Sequence, residues 1–225
     1  MKSNDKKNSQ RVSLYKRYTQ RESAGLARGS KTLIETTSLL ERNENSGRSP
    51  DTINARQEKW IKEYALSRGI WWPRVIKEFT AKYGKPIGNG QEAIVWGIPR
   101  TQQVIKTQNT LQYSTLQEKM HSIVLYNYYF PETALEVTGF GWDKSSGFQV
   151  IVKQPFIIAD PCKIPSLQDM ANVANLLGFA SLVEYGLPVF KNERAVLKDI
   201  HIRNGIWDRF GNLFIIDSIM KYLPA

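Results

Sequence analysis

Three side chains near the end of the chain have the types and spacing to handle a metal ion and a proton. They are Asp199, Asn204 five residues later, and Asp217 thirteen residues after that. Between the last two, Gly205-Ile206-Trp207 and Leu213-Phe214-Ile215-Ile216 flank Asp208-Arg209-Phe210-Gly211-Asn212, whose polar residues and glycine suit a tight turn. The spacing predicts a β-hairpin that brings Asn204 beside Asp217 at one end of a small ribbon. Such a cluster fits phosphoryl transfer. One carboxylate accepts a hydroxyl proton, while an amide oxygen and a second carboxylate hold Mg²⁺ against phosphate oxygens. The competing reading makes Asp199 and Asn204 turn residues and Asp217 the end of a strand, since Asp and Asn are common in turns.

The elements that must position these residues come from a chain of globular composition. Its 225 residues, 41% hydrophobic and 11% aromatic, can build one substantial domain with an extension. The net charge of +10 is uneven: residues 1–50 hold eleven Lys/Arg against five Asp/Glu. That segment reads as a basic, disordered arm in which only Ser30–Leu40 could form a short helix. Its charge also allows weak nucleic-acid contact. A single cysteine, Cys162, excludes an intramolecular disulfide and a cysteine-based zinc site. Two histidines, His121 and His201, make a histidine-rich metal site a poor expectation. No apolar run approaches membrane-spanning length and no signal-peptide core follows the polar start, so a soluble, cytoplasmic protein is expected, with no membrane partner.

A helical extension is expected over residues 51–83. A first helix is capped by Ser49 or Asp51 and ended by Gly69; a second runs from Arg74 to Lys82. Trp60, Trp71 and Trp72 read as packing between these helices, with a base-stacking platform as the alternative. Gly88 and Gly90 then open a loop through which backbone could approach phosphates. The strand Gln102–Lys106 follows, ending in a lysine that would otherwise simply reach water. Residues 111–129 read as one helix stopped by Pro131, with Glu118 in its first half and His121 without an evident partner. Glu136–Trp142 and Gly147–Ile157 form a second hairpin. A helix opening at Pro165-Ser166-Leu167 and three short strands lead back to Asp199.

Taken in order, these residues resemble a protein kinase reduced to its core. Gly88-x-Gly90-x-x-Ala93-x-Val95 is similar to the kinase Gly-rich loop, with Ala93 in the third glycine place. Val104-Ile105-Lys106 resembles the strand bearing the kinase lysine, and Glu118 fits the glutamate of the next helix. Asp199-x-x-x-x-Asn204 is similar to the catalytic loop and Asp217 to the metal-binding aspartate. Phe130-Pro131-Glu132-Thr133, Gly139-Phe140-Gly141 and Gln154-Pro155-Phe156 are similar to segments of the serine/threonine/tyrosine kinase-like domain of bacterial polyvalent proteins of phages and conjugative elements. The resemblance implies an α+β, protein-kinase-like fold with an antiparallel N-lobe sheet carrying one helix (residues 84–158) and a truncated C-lobe (159–225).

The same resemblance implies ATP and Mg²⁺ as cofactors. Gly88, Gly90, Ala93 and Val95 would cover the phosphates, Lys106 paired with Glu118 would neutralise them, and backbone near Gln154 and Phe156 would meet the adenine. Asp199 would handle the acceptor proton, and Asn204 and Asp217 would ligate the metal. Departures leave the acceptor open between protein and a small-molecule hydroxyl. Leu197-Lys198 replaces His-Arg, Asp199-Ile200-His201 is closer to the D-x-H of small-molecule phosphotransferases, and Ser218-Ile219 follows Asp217 in place of Phe-Gly. Eight residues follow Asp217, which implies no activation segment. Two other readings stand beside this one: a nucleotide- or partner-binding module without catalysis, and a basic DNA-binding accessory protein of a mobile element.

Overall fold

Apolar residues recur every second position in the middle of the chain and every third or fourth near its start, and the computed structural model has the mixed α/β architecture this pattern dictates. It describes residues 27–43, 49–184 and 187–223. Two compact units are resolved. One comprises Arg28–His121 and Ala134–Ile157; the other includes Ser122–Thr133 and Ile158–Ala225.

The first unit is built on a six-stranded sheet in the order β1-β5-β6-β4-β3-β2. Its strands are β1 (Trp71–Trp72), β2 (Gly88–Asn89), β3 (Ala93–Gly97), β4 (Gln103–Gln108), β5 (Glu136–Asp143) and β6 (Gly147–Pro155). All pairings are antiparallel except β1 with β5. One face carries Trp96, Ile105 and Ile151 and packs on Val75 and Phe79 of helix α3 (Val75–Tyr83). Phe79 meets Trp72 and Trp96 edge-on, with ring centres 5.0 and 5.5 Å apart. Trp71-Trp72, expected between two helices, is therefore a strand that extends the sheet. Its approach explains Gly139-Phe140-Gly141: a Cβ on Gly141 would stand 2.6 Å from the Trp72 carbonyl oxygen, and one on Gly139 2.7 Å from that of Ile70. Only glycine admits backbone this close.

Helix α2 (Pro50–Ser67) starts at Ser49, whose hydroxyl accepts the Thr52 amide, and Gly69, at φ +66°, turns the chain out of it. Helix α1 (Ala27–Arg42) lies where the sequence suggested an arm. Leu33, Thr36, Thr37 and Leu40 recur at helical spacing and are fully buried. Glu35 accepts the Tyr64 hydroxyl at 2.7 Å and pairs with Arg68 at 3.1 Å. Glu41 meets His121 at 3.1 Å, which gives that buried histidine its partner. The remainder of the proposed arm, residues 1–26 and 44–48, lies outside the described residues.

Helix α4 (Leu116–Tyr129) is shorter than expected at its start. Its first amides, which lack intrahelical acceptors, are met by α2: Leu116 donates to Asn54 Oδ1 at 2.9 Å and Gln117 to Gln57 Oε1 at 3.0 Å. Residues 122–129 of this helix belong to the second unit. That unit holds α5 (Leu167–Leu176) and a sheet in the order β12-β9-β8-β7, made of β7 (Ala180–Glu184), β8 (Leu187–Lys191), β9 (Ala195–Lys198) and β12 (Ile219–Tyr222). The hairpin of β10 (Gly205–Trp207) and β11 (Leu213–Ile215) completes it. Among the described residues no helix is long and apolar enough to cross a membrane.

Candidate functional site

In the second unit, the hairpin expected from sequence forms with Gly205 opposite Ile215 and Trp207 opposite Leu213. Asp208 closes its turn by accepting the amides of Phe210 and Asn212 at 2.9 and 2.8 Å. The ladder makes Ile216 donate to the Asn204 carbonyl at 2.7 Å. β12 then returns antiparallel to β9, with Ile219 opposite Lys198. The two ladders bring Asp199, Asn204 and Asp217 together. The Asn204 side-chain Nδ2 donates to the Asp199 carbonyl at 2.9 Å and its carboxylate Oδ2 at 3.1 Å, and lies 3.5 Å from the Asp217 carbonyl. With Nδ2 so committed, Oδ1 is the oxygen left for a cation.

Both carboxylates sit on left-handed backbone. Among the described residues the non-glycine positions with positive φ are Arg100, Asp199 at 61° and Asp217 at 53°. A side chain there costs about 1–2 kcal/mol relative to ordinary backbone. The same loop places His201 Nε2 3.6 Å from Asp199 Oδ1.

The flanks of Asp217 are tied down by residues far away in sequence. The Tyr126 hydroxyl donates to the Ile215 carbonyl at 2.9 Å, Thr133 Oγ1 reaches the same oxygen at 3.3 Å, and Ser122 Oγ accepts the Met220 amide at 3.1 Å. Sequence reasoning missed these supports, since each spans more than eighty residues. Gly205, next to Asn204, lies against α5: a Cβ there would be 2.5 Å from Met170 Sδ. Ser166 and Asp169 fix the start of that helix with a reciprocal capping box.

In the first unit, the register places Val95 and Val152 opposite Lys106 on either side, and Gln154 opposite Val104. By the two-residue alternation of strands, Val95, Val104, Lys106, Val152 and Gln154 share one face. Val152 was not singled out from sequence, although alternation about Lys106 points to it. Lys106 itself is 3% exposed. Gly88 pairs with Val95 across the β2–β3 hairpin, and Gly90 donates to the Ala93 carbonyl at 2.9 Å. Asn109 holds the loop tip through the Gln91 carbonyl at 2.9 Å.

A Cβ on Gly88 or Gly90 would make only ordinary contacts, at 3.5 and 3.6 Å. Packing therefore does not demand glycine at either position. Glu118 is exposed in the first turn of α4, where its carboxylate accepts the Ser114 amide at 2.9 Å, a role sequence reasoning did not assign. The Phe156 amide donates to the Gln102 carbonyl at 2.9 Å, so by alternation the Pro155 carbonyl faces away from β4.

A model of the family described as "Serine/Threonine/Tyrosine Kinase found in polyvalent proteins" matches residues 54–223. The chain belongs to this family. The match begins inside α2, so this kinase family's shared region includes β1 and α3 as well as the glycine-loop hairpin and the Asp199–Asp217 cluster. A search of curated proteins finds no match.

Asn204 Oδ1 and the Asp217 carboxylate are hard oxygen donors, the kind that Mg²⁺ takes.

Proposed function

We propose that this kinase-family chain is an ATP-dependent phosphotransferase that moves the γ-phosphoryl group to a hydroxyl, with a protein side chain as the first acceptor to test. The observation that carries this reading is the left-handed backbone at both Asp199 and Asp217. Two carboxylates kept where the backbone conformation favours glycine are best explained by what their oxygens do.

Asp199, oriented by Asn204 Nδ2, receives the acceptor's proton as the acceptor oxygen bonds to the γ-phosphorus and the bond to the bridging oxygen of ADP breaks. Asn204 Oδ1 and the Asp217 carboxylate would hold a Mg²⁺, which would supply neutralisation of phosphate charge. In the first unit, the valine face around Lys106 takes the adenine, the Lys106 ammonium takes the α/β-phosphates, and the glycine loop covers them. The adenine edge falls on Gln154–Phe156, through the Pro155 carbonyl rather than the bonded Phe156 amide. Glu118, whose carboxylate also accepts the Ser114 amide, would pair with Lys106.

The test is a melting-point titration with ATP, with and without Mg²⁺, on wild type, Asp217→Ala and Asp199→Asn, beside an assay of transfer from ATP labelled at the γ-phosphate. ATP at a hundred times its Kd stabilises the native state by about 2.7 kcal/mol. A Mg²⁺-dependent rise is expected in wild type and Asp199→Asn but not in Asp217→Ala, with transfer in wild type alone. No rise in any of the three would overturn the reading.

A further inference from the structure

On the same sheet face as Lys106, but at the far end of β5 and β6, a cavity of ≈ 520 Å³ opens beside α2. Trp142 and Phe148, paired across the hairpin, form one wall together with Trp71. The Trp71 and Phe148 ring centres are 5.9 Å apart. Trp142 remains 44% exposed at the mouth while Phe148 is buried beneath. The opposite wall is one face of α2, where Glu58, Lys59 and Lys62 follow at helical spacing. In volume and in its mix of aromatic and sparse polar lining it matches small-ligand sites. The phosphotransferase reading makes no use of it.

The chemistry of the walls selects the occupant. Flat rings favour a planar ligand. Lys62 Nζ stands 5.5 Å from the centre of the Trp71 ring, so a cationic ligand would meet an ammonium already seated there. Two lysines favour an anion instead, and the chain as a whole carries +10. The Glu58 carboxyl, which accepts from Asn54 at 3.0 Å, adds an acceptor for ring N–H groups. A planar, N–H-bearing ring tethered to an anion is a nucleobase on its phosphate chain. Aromatic platforms beside lysines are how single strands are held without sequence preference. We propose that this cavity is a binding site for single-stranded nucleic acid, with one base stacked on Trp142 and the adjoining phosphates on Lys59 and Lys62.

The test measures fluorescence anisotropy of a labelled ten-residue oligothymidylate with the full chain, against an abasic phosphate chain of equal length. Variants are Trp142→Ala and the double change Lys59→Glu/Lys62→Glu, each checked for an unchanged melting point. Because stacking contributes about 1–3 kcal/mol per base, Trp142→Ala should weaken oligothymidylate at least about fivefold and leave the abasic chain unaffected. The lysine variant, confined to exposed positions of α2, should weaken both and flatten the salt dependence. Equal affinity for the two chains in wild type would overturn the proposal, as would wild-type binding by both variants. Tighter binding of a Glu-Trp-Glu peptide at the same residues would reassign the cavity to a protein partner.

Discussion

Asp217 shows how a residue can be costly to the fold and still be kept. Its φ of 53° places a Cβ where the backbone tolerates one poorly. Asp217→Gly and Asp217→Ala remove the same carboxylate, so both should abolish Mg²⁺-dependent nucleotide binding. They should differ in stability: the glycine variant is expected to be about 1 kcal/mol more stable than the alanine variant, read as midpoints of urea unfolding. Equal midpoints would mean that the site stores no backbone strain. Asn204 carries the opposite expectation. It is buried, and its amide satisfies both the carbonyl and the carboxylate of Asp199. Asn204→Ala leaves that carbonyl without its donor and should cost about 1–3 kcal/mol as well as activity.

Among the elements, glycines separate what the fold needs from what a ligand needs. Gly141→Ala drives a methyl group into the Trp72 carbonyl and must part β1 from β5. A loss of about 1–3 kcal/mol is expected in thermal or urea unfolding. Gly90→Ala meets only ordinary contacts, so its melting point should stay at the wild-type value while ATP affinity drops. The contrast also marks what could be read from sequence. The Asp208–Asn212 turn, the Ser166 cap and the alternation in β5 and β6 are local, and each appears where its residues put it. Strand β1 was legible only as aromatic bulk, because two residues carry no period; what makes them a strand is a glycine pair nearly seventy positions away. Helix α1 was legible only as a short helix over Ser30–Leu40 in a basic arm; Leu33, Thr36, Thr37 and Leu40 form its buried stripe, and the bonds of Glu35 to Tyr64 and of Glu41 to His121 tie it to α2 and α4. The spacing of Asp199, Asn204 and Asp217 foretold their meeting. The Tyr126, Thr133 and Ser122 bonds that fix it had no local signature at all.

Taken whole, the molecule divides its titrating groups between the two units, and this gives it distinct acid and alkaline limits. In the second unit, the backbone and side-chain hydrogen bonds of Ser166 hold the Asp169 carboxyl below its usual range. The hydrogen bond from Lys191, joined by Lys198, outweighs burial to lower Glu184. Burial pushes Asp208 up, but hydrogen bonds from Asn212, Phe210 and Gly211 outweigh it and bring it low. Carboxyls lowered in the folded state stabilise it above their unfolded values, near about pH 4, and that contribution is lost as pH falls through the folded ones. The first unit holds the opposite case. Burial, reinforced by the Glu35 carboxylate, pushes the Tyr64 hydroxyl up to about 12. An unfolded tyrosine ionises near about pH 10, so Tyr64 stabilises the fold below that pH and loses its contribution as pH rises toward its folded value. Hydrogen exchange followed by mass spectrometry should therefore show the second unit opening first on acidification. Between about pH 10 and 12 the first unit should open first, and Tyr64→Phe should flatten that alkaline decline while leaving the acid one unchanged. A Tyr64→Phe protein whose alkaline decline matches wild type would show that the α1–α2 contact through Glu35 does not set the alkaline limit.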